Sequence, residues 1–422
     1  MVVTLTDTDS TRGTQASVDT YLDDRQSIWP NNEVASPGEF DPYDPATVRD
    51  PHAVYAELRR ACPVAHGQRW GGFWALTGYA EVVAASTAPH TFSSTSGVVI
   101  PVNPLAGQRL PMHFDPPEHT AYRRLLNPAF GADRVTGLGA AVDAIARRLL
   151  APVLERGAGD LIAEYTSPLA SHVLAAFLGM PDEFGQRLET YSLRFERAQD
   201  AGEAAAVDEA NAVLYGYARE VLAARRSEGA TGLVGALVQG RVDGRPLTDD
   251  EIVGSLRQVF IAGHIAVAAA LGSVIGHLAD DPALQRRLRR DPALVPAAVE
   301  ELLRLHTPNQ GFARTVRRDT TLAAQTLRPG DQVALVYTAA NRDPAVFPDP
   351  DGVDLDRRPN RHLAFGHGVH KCVGIDLARL ELRAGLTALL ATTASFERAG
   401  PSTPLRWPIY GPATLPLRLA AG

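Results

Sequence analysis

Cys372 stands in a setting where a thiol is readily made to bind metal or to react. The run Phe365-Gly366-His367-Gly368-Val369-His370-Lys371-Cys372-Val373-Gly374 carries glycines at 366, 368 and 374. Such positions let the backbone turn without a Cβ clash or approach a flat ligand closely. Downstream the pattern turns helical: Val373, Leu377, Leu380 and Ala384 share one face, and Leu382, Leu386 and Leu389 line the opposite one. A helix apolar on two sides belongs inside the protein. Cys372 therefore precedes a helix N-terminus, whose unpaired N–H groups and positive dipole end favour thiolate over thiol. Phe365 is placed to cover the sulfur and His370 to donate to a nearby anionic group. A small, inert cysteine in a Gly-rich turn is the alternative that the local pattern leaves open. Cys62, in Ala61-Cys62-Pro63, has no comparable setting and reads as structural.

Three other groups of residues have types and spacings that suit a charged partner. Glu301 and Arg304 stand at i and i+3 of a helical stretch. On a surface such a pair is worth a few tenths of a kcal/mol. His119 and Arg123 lie one helical turn apart within Asp115–Arg124, and Arg314 follows Gly311-Phe312-Ala313. A planar guanidinium fork suits a carboxylate better than an ammonium does.

Phe-x-x-Gly-x-x-x-Cys-x-Gly, with His two before the Cys, resembles the haem-binding signature of the cytochrome P450 family. Glu301-Leu302-Leu303-Arg304 is similar to that family's Glu-x-x-Arg element, and Arg357 in Asp354-Leu355-Asp356-Arg357 to its third partner. Pro359–Gly366 leads directly into the Cys loop, as in bacterial members. The resemblance spans roughly residues 40–418. It implies a mainly α protein with a small β region, a cytochrome P450-like fold with haem b buried between the long central helix and the Cys-loop helix. Cys372 would then be the iron ligand, and a thiolate trans to oxygen favours O–O cleavage. His119, Arg123, Arg314, His370, Phe365, Gly366, Gly368 and Gly374 would touch the cofactor, with Ala262 and Gly263 on its oxygen side. Glu301, Arg304 and Arg357 would form a buried scaffold. Asn309, Gln310, Phe312 and Ile409 would meet substrate, together with the 95–112 loop, the region around 180–205 and the central helix. Electrons would come from a separate ferredoxin and ferredoxin reductase. Arg123, Arg124, Arg361 and Lys371 are the candidate docking contacts, since docking depends on a local patch.

The chain departs from the family in one place that matters chemically. Thr248-Asp249-Asp250-Glu251 reads as a capping box that opens a helix running to about Asp280. In mid-helix stands Ala262-Gly263-His264-Ile265-Ala266-Val267. Gly263 costs about 1 kcal/mol relative to Ala, which implies close approach by a bulky group. Most members then place an acid and a Thr, which with water deliver protons to reduced oxygen. Ile265 and Ala266 can do neither. His264 is the nearest titratable side chain, but its helix position points it elsewhere. The arginine with which peroxide-driven relatives hold a substrate carboxylate is not expected in this helix. The preferred expectation is hydroxylation or epoxidation of a mid-sized polar-functionalised molecule that helps with its own protons. Radical C–C or C–N coupling of an aromatic natural product, such as a cyclic dipeptide, is the second. A non-catalytic haem sensor or carrier is the third.

The elements that must position these residues are mostly helical. Leu138, Val142, Ile145 and Leu149 step by helical intervals, and further helices are expected at 206–226, 248–280, 293–306 and 373–392. Strands are expected at Gly72–Thr77, Thr320–Ala323 and Gln332–Tyr337, the last two flanking the turn Arg328-Pro329-Gly330-Asp331. Residues 1–35 read as a flexible arm without signal-peptide shape, and 36–422 as a single domain. The chain has 422 residues, 45% hydrophobic, with 41 basic and 48 acidic side chains for a net −7, which offers no nucleic-acid footprint. The longest apolar stretch, Val259–Gly276, is interrupted by Gly263, His264 and Ser273, so no membrane span is expected. Two cysteines make a disulfide framework implausible and favour a reducing cytoplasm; a monomer is expected.

Overall fold

The computed structural model describes residues 40–101, 109–201 and 203–422. The expected N-terminal arm and residues 102–108 of the 95–112 loop lie outside the described residues. The helices that build the interior are α1 (Glu118–Ala129), α2 (Gly139–Arg156), α3 (Ser167–Leu178), α4 (Asp182–Ala201), α5 (Ala204–Ser227), α6 (Asp249–Asp280), α7 (Val295–Leu305) and α8 (Ile375–Thr392). One large apolar core runs through all of them.

α6 is the axis of this core and packs against α3, α4, α5 and α8. Its start is fixed by the expected capping box: Glu251 N–H donates to Thr248 Oγ1 at 3.3 Å, and Thr248 N–H to Glu251 Oε2 at 2.7 Å. The Tyr122 hydroxyl donates to Glu251 Oε1 at 2.6 Å and so pins α1 to the same end. α6 is long and apolar enough to cross a membrane, yet 72% of its most apolar window is buried inside the protein. Its apolarity is that of a core helix.

A five-stranded sheet forms a second layer from β1 (Val64–Gly67), β2 (Phe73–Leu76), β3 (Phe92–Ser93), β4 (Gly311–Val316) and β5 (Gln332–Val336), in the order β1-β2-β5-β4-β3. The β2–β5 pair is parallel and the others antiparallel. Val333 and Leu335 of β5 join one apolar cluster while Ala334 and Val336 join another. The strand is therefore covered on both faces, which is why it reads as a continuous apolar run.

Two expectations need correction. The strand expected at Thr320–Ala323 stops at Leu322 and pairs with an unforeseen strand, Gln325–Leu327, joined through Ala323 and Ala324 at φ +45° and +63°. A two-residue turn of that kind usually takes Asn or Gly, so two alanines gave no signal. In α2 the buried stripe is Val142, Ala146, Leu150 and Val153, and Leu138, Ile145 and Leu149 are half-buried beside it.

Glu301 is the hub of the segment that feeds the Cys loop. Its carboxylate accepts from Arg304 Nε and Nη2 at 3.0 and 2.7 Å, from Arg357 Nε at 3.1 Å, from Asn360 Nδ2 at 3.0 Å and from Asp354 N–H at 3.1 Å. Arg304, with no exposed surface, spends its remaining N–H groups on the carbonyls of Asn341, Pro350 and Gly352. Phe347 lies beneath both guanidinium groups. The pair expected from i,i+3 spacing is thus wholly internal, and removing one partner strands a buried charge. Arg357→Ala should lower unfolding free energy by about 3–5 kcal/mol, measured by urea unfolding followed through tryptophan fluorescence. A loss below about 1 kcal/mol would match a surface pair instead.

Candidate functional site

The Cys loop is closed by its own backbone. Cys372 N–H donates to Phe365 O at 2.9 Å, Gly366 N–H to Leu363 O at 2.8 Å, and Lys371 N–H to Gly368 O at 3.1 Å. The Asn341 Oδ1 acceptor holds Leu363 N–H at 2.6 Å. Gly368, at φ +68°, must be glycine, because a Cβ there would fall 2.1 Å from Ser86 O. The Phe365 ring lies 5.2 Å from the Arg379 guanidinium and 6.0 Å from the His362 ring. α8 begins at Ile375, just beyond Cys372.

The Cys372 side chain is exposed by area yet enclosed by surrounding chain. Both hold if its free surface faces an internal space rather than bulk water. Burial pushes the thiol pKa up, opposed by the Gly374 N–H and the positive charge of Arg123. The expected N-terminal stabilisation of the thiolate is therefore present but outweighed by burial. A bound cation would favour the anionic form.

Beside the loop lies a cluster of donors short of acids. The His119 and His370 rings are 4.2 Å apart, and His370 Nε2 is 3.0 Å from Ser94 Oγ. Buried Arg314 donates to Ala313 O at 2.6 Å, its one hydrogen bond among the described residues. Arg123 bridges from Asn127 Oδ1 to Lys371 O at 2.9 and 2.7 Å. Burial lowers His370 to about 2 and His119 to about 4, and the neighbouring cations push the same way. Asp115 is the one carboxylate that acts on both His119 and Arg314, and it accepts the Ser94 N–H at 2.9 Å. A buried, undercompensated cluster of this kind fits a ligand with two carboxylates, as haem has.

On α6, Ala262 is exposed and Val259 and Ala266 are half-exposed within an otherwise buried helix. Their 3 and 4 residue steps put them on one face, so this face also borders an internal space. Ile265 is 9% exposed. His264 lies on the opposite side: its Nε2 is 3.0 Å from Ser167 Oγ, which donates to Glu189 Oε1 at 2.8 Å. His264 thus belongs to the α3–α6 contact, pointing away from the accessible face as its helix position led one to expect. A Cβ on half-buried Gly263 would lie 3.4 Å from Leu174 of α3, an ordinary contact.

The proposed substrate contacts divide. Asn309 and Ile409 form a β-bridge, and Phe312 packs at 6.2 Å against Tyr337. Gln310 is committed to structure: it accepts from Tyr55 Oη at 2.7 Å and donates to Ile409 O at 3.0 Å. Cys62 Sγ donates to Val64 O, in keeping with a structural role. The sequence reading passed over Glu381, fully enclosed on α8, where burial pushes its carboxyl well above the usual range, with Oε2 unpaired among the described residues. Its signal was an acid between Leu377 and Ala384 on an apolar face. Arg257 was also missed: it lies on α6, where no arginine was expected.

Fold and site together define a mainly α haem-thiolate protein, and comparison with known proteins agrees. The family model for cytochrome P450 matches residues 192–395. Mycinamicin IV hydroxylase/epoxidase of Micromonospora griseorubida is 36% identical over 321 residues, 72% of this chain and 79% of that protein. Cyclomarin C epoxidase CymV of Salinispora arenicola is 31% identical, covering 83% and 91% respectively. The structure of cytochrome P450 CYP109Q5 from Chondromyces apiculatus superposes with a TM-score of 0.83 at 30% identity, covering 91% of this chain and 99% of that one. The chain belongs to the cytochrome P450 family and is a monooxygenase of the bacterial type.

His264 gives this site a pH signature. Burial holds its pKa down from 6.5 to about 4, with the Ser167 contact opposing. Between those values the unfolded chain binds the extra proton, so stability falls on acidification through that window. His264→Gln should flatten the slope by up to about 1.4 kcal/mol per pH unit, read by urea unfolding across the window, while leaving the reduced carbon monoxide spectrum intact. An unchanged slope would contradict the buried, neutral assignment.

Proposed function

We propose that this protein hydroxylates or epoxidises a mid-sized natural product whose own hydroxyl or amide completes the proton path. The observation that carries this is the accessible face of α6. Val259, Ala262 and Ala266 offer no group able to hold or pass a proton, and His264 is turned toward Ser167. Haem b, when bound at Cys372, supplies oxygen activation. The chain encloses the thiolate, keeps water from it, and presents His119, His370, Arg123 and Arg314 to the propionates. Relatives named for hydroxylation and epoxidation of mycinamicin IV and cyclomarin C support oxygen insertion into a natural product. They lend nothing to radical coupling or to a carrier.

Electrons come in this reading from a ferredoxin and its reductase. Arg124, Arg361 and Lys371 are exposed around the Cys loop, with Arg123 half-buried among them, and a local basic patch suits an acidic partner despite the net charge of −7. Both cysteines are free thiols, which suits a reducing cytoplasm.

The test is reconstitution with ferredoxin, its reductase and NADPH against macrolide and cyclic-peptide scaffolds. Product formation should track NADPH use, and methylating the substrate hydroxyl nearest the oxidised carbon should divert reducing equivalents to peroxide. Ala266→Thr should change turnover far less than the roughly hundred-fold that a missing general acid is worth. A large gain from the Thr, or coupling indifferent to methylation, would overturn the proposal.

A further inference from the structure

The accessible stripe of α6 runs on past its oxygen-facing alanines. Val259, Ala262 and Ala266 are followed, at steps of three and four, by Ala269, Ser273 and His277. The chain between Thr403 and Ala413 crosses this stripe as a hairpin: Ala413 N–H donates to Thr403 O at 2.7 Å and Leu405 N–H to Gly411 O at 2.8 Å. Gly411 packs between Ala269 and Ser273, since a Cβ there would lie 3.0 Å from Ala269 O and from Ser273 Oγ. Beyond the hairpin, α6 borders a second cavity of about 310 Å³. Its walls include Ser273 and His277, His52 of the helix Pro51–Ala61, His306 just past α7, and Tyr410 and Gly411 of the hairpin. Val259, Ala262, Ala266 and Cys372 are not among them.

Polar groups in these walls lack partners. Ser273 is 7% exposed, and its Oγ has no hydrogen-bond partner among the described residues. The same holds for both ring nitrogens of His52. Burial, with Arg342 pushing the same way, lowers His52 to about 3. Its ring is therefore neutral and offers one N–H and one acceptor nitrogen, and the Ser273 hydroxyl likewise both donates and accepts. Buried groups of this kind are costly to leave unpaired. Flat rings complete the lining. Tyr410 lies parallel to His306 at 6.1 Å, and His52 meets Tyr410 edge-on at 5.0 Å. His306 Nε2 is 3.0 Å from His277 Nδ1, so those two rings serve each other.

We propose that this cavity is a second small-molecule site, apart from the place of oxidation, and that its ligand is a planar neutral lactam. The adjacent N–H and C=O of a lactam match the donor and acceptor atoms of His52 and Ser273, and its ring lies against Tyr410 and His306. Ions fit less well. An anion only accepts, which strands the acceptor nitrogen of His52. A cation meets the charge of Arg342, which acts on His52, His277 and His306 alike. At the rim, Asp280 is held by Arg398 at 2.8 Å, and Asp50 caps its helix by accepting Ala53 N–H at 3.1 Å. The volume lies at the lower end of small-molecule sites, roughly 300–1,000 Å³, which suits one or two fused rings. An occupant also braces the hairpin that carries Ile409, whose carbonyl Gln310 already holds at 3.0 Å.

The probe is 2-quinolone, with N-methyl-2-quinolone as the donor-blocked control. Both are added to the haem-loaded protein with its iron side already filled by saturating clotrimazole. Equilibrium dialysis should find a single 2-quinolone per chain, held about ten-fold more tightly than the N-methyl compound, as expected when one hydrogen bond is lost and its partner stranded. Ser273→Ala and His52→Leu should each weaken 2-quinolone by about the same factor, while leaving the clotrimazole-induced Soret shift and its midpoint unchanged. Should His52→Leu fail to fold, Ser273→Ala, which removes a single oxygen atom, and the comparison of the two quinolones on the wild type still decide. Absence of 2-quinolone binding means that the cavity holds water alone and overturns the proposal. Equal affinity for the two quinolones, or binding undiminished in Ser273→Ala, overturns it as well.

Discussion

Keeping a negatively charged sulfur out of water shapes the region around Cys372. Burial opposes the thiolate, and one N–H from Gly374 and the charge of Arg123 do not offset it. The geometry must therefore hold the sulfur rigidly at a place where a metal cation can supply the rest. That need explains the backbone hydrogen bonds that close the loop, the left-handed glycines at 366 and 368, and the clamp from Asn341 to Leu363. The Glu301 network lies one step behind, fixing the segment from Asp354 to Asn360 that delivers the loop. Loosening that hub displaces the sulfur without touching it.

Buried charge in this protein falls into two kinds. Arg304 and Arg357 are satisfied by Glu301 and by backbone carbonyls, so their role is complete in the folded chain. Among the described residues the His119–His370–Arg314 cluster is short of acids, which suits the cofactor's carboxylates.

Much of the scaffold was legible because periodicity survives where a helix has distinct faces. The helices expected at 206–226, 248–280, 293–306 and 373–392 stand within about two residues of α5, α6, α7 and α8. Cys372, Glu301, Arg304 and Arg357 were legible from motif spacing. What escaped depended on long-range partners or on missing contrast. α3 is buried almost all round and shows no stripe. Gln310 looked available until Tyr55, distant in sequence, was seen to hold it. The partner that holds His264, Ser167, is likewise distant in sequence.

The account turns on Cys372 as the iron's ligand, and the reduced carbon monoxide spectrum of Cys372→His beside the wild type tests it most directly. The wild type should give the strongly red-shifted Soret band of thiolate ligation. The variant should bind haem in similar amount, since His119, His370 and Arg314 are untouched, but give the band of nitrogen ligation. A variant spectrum identical to the wild type would contradict the assignment of the sulfur.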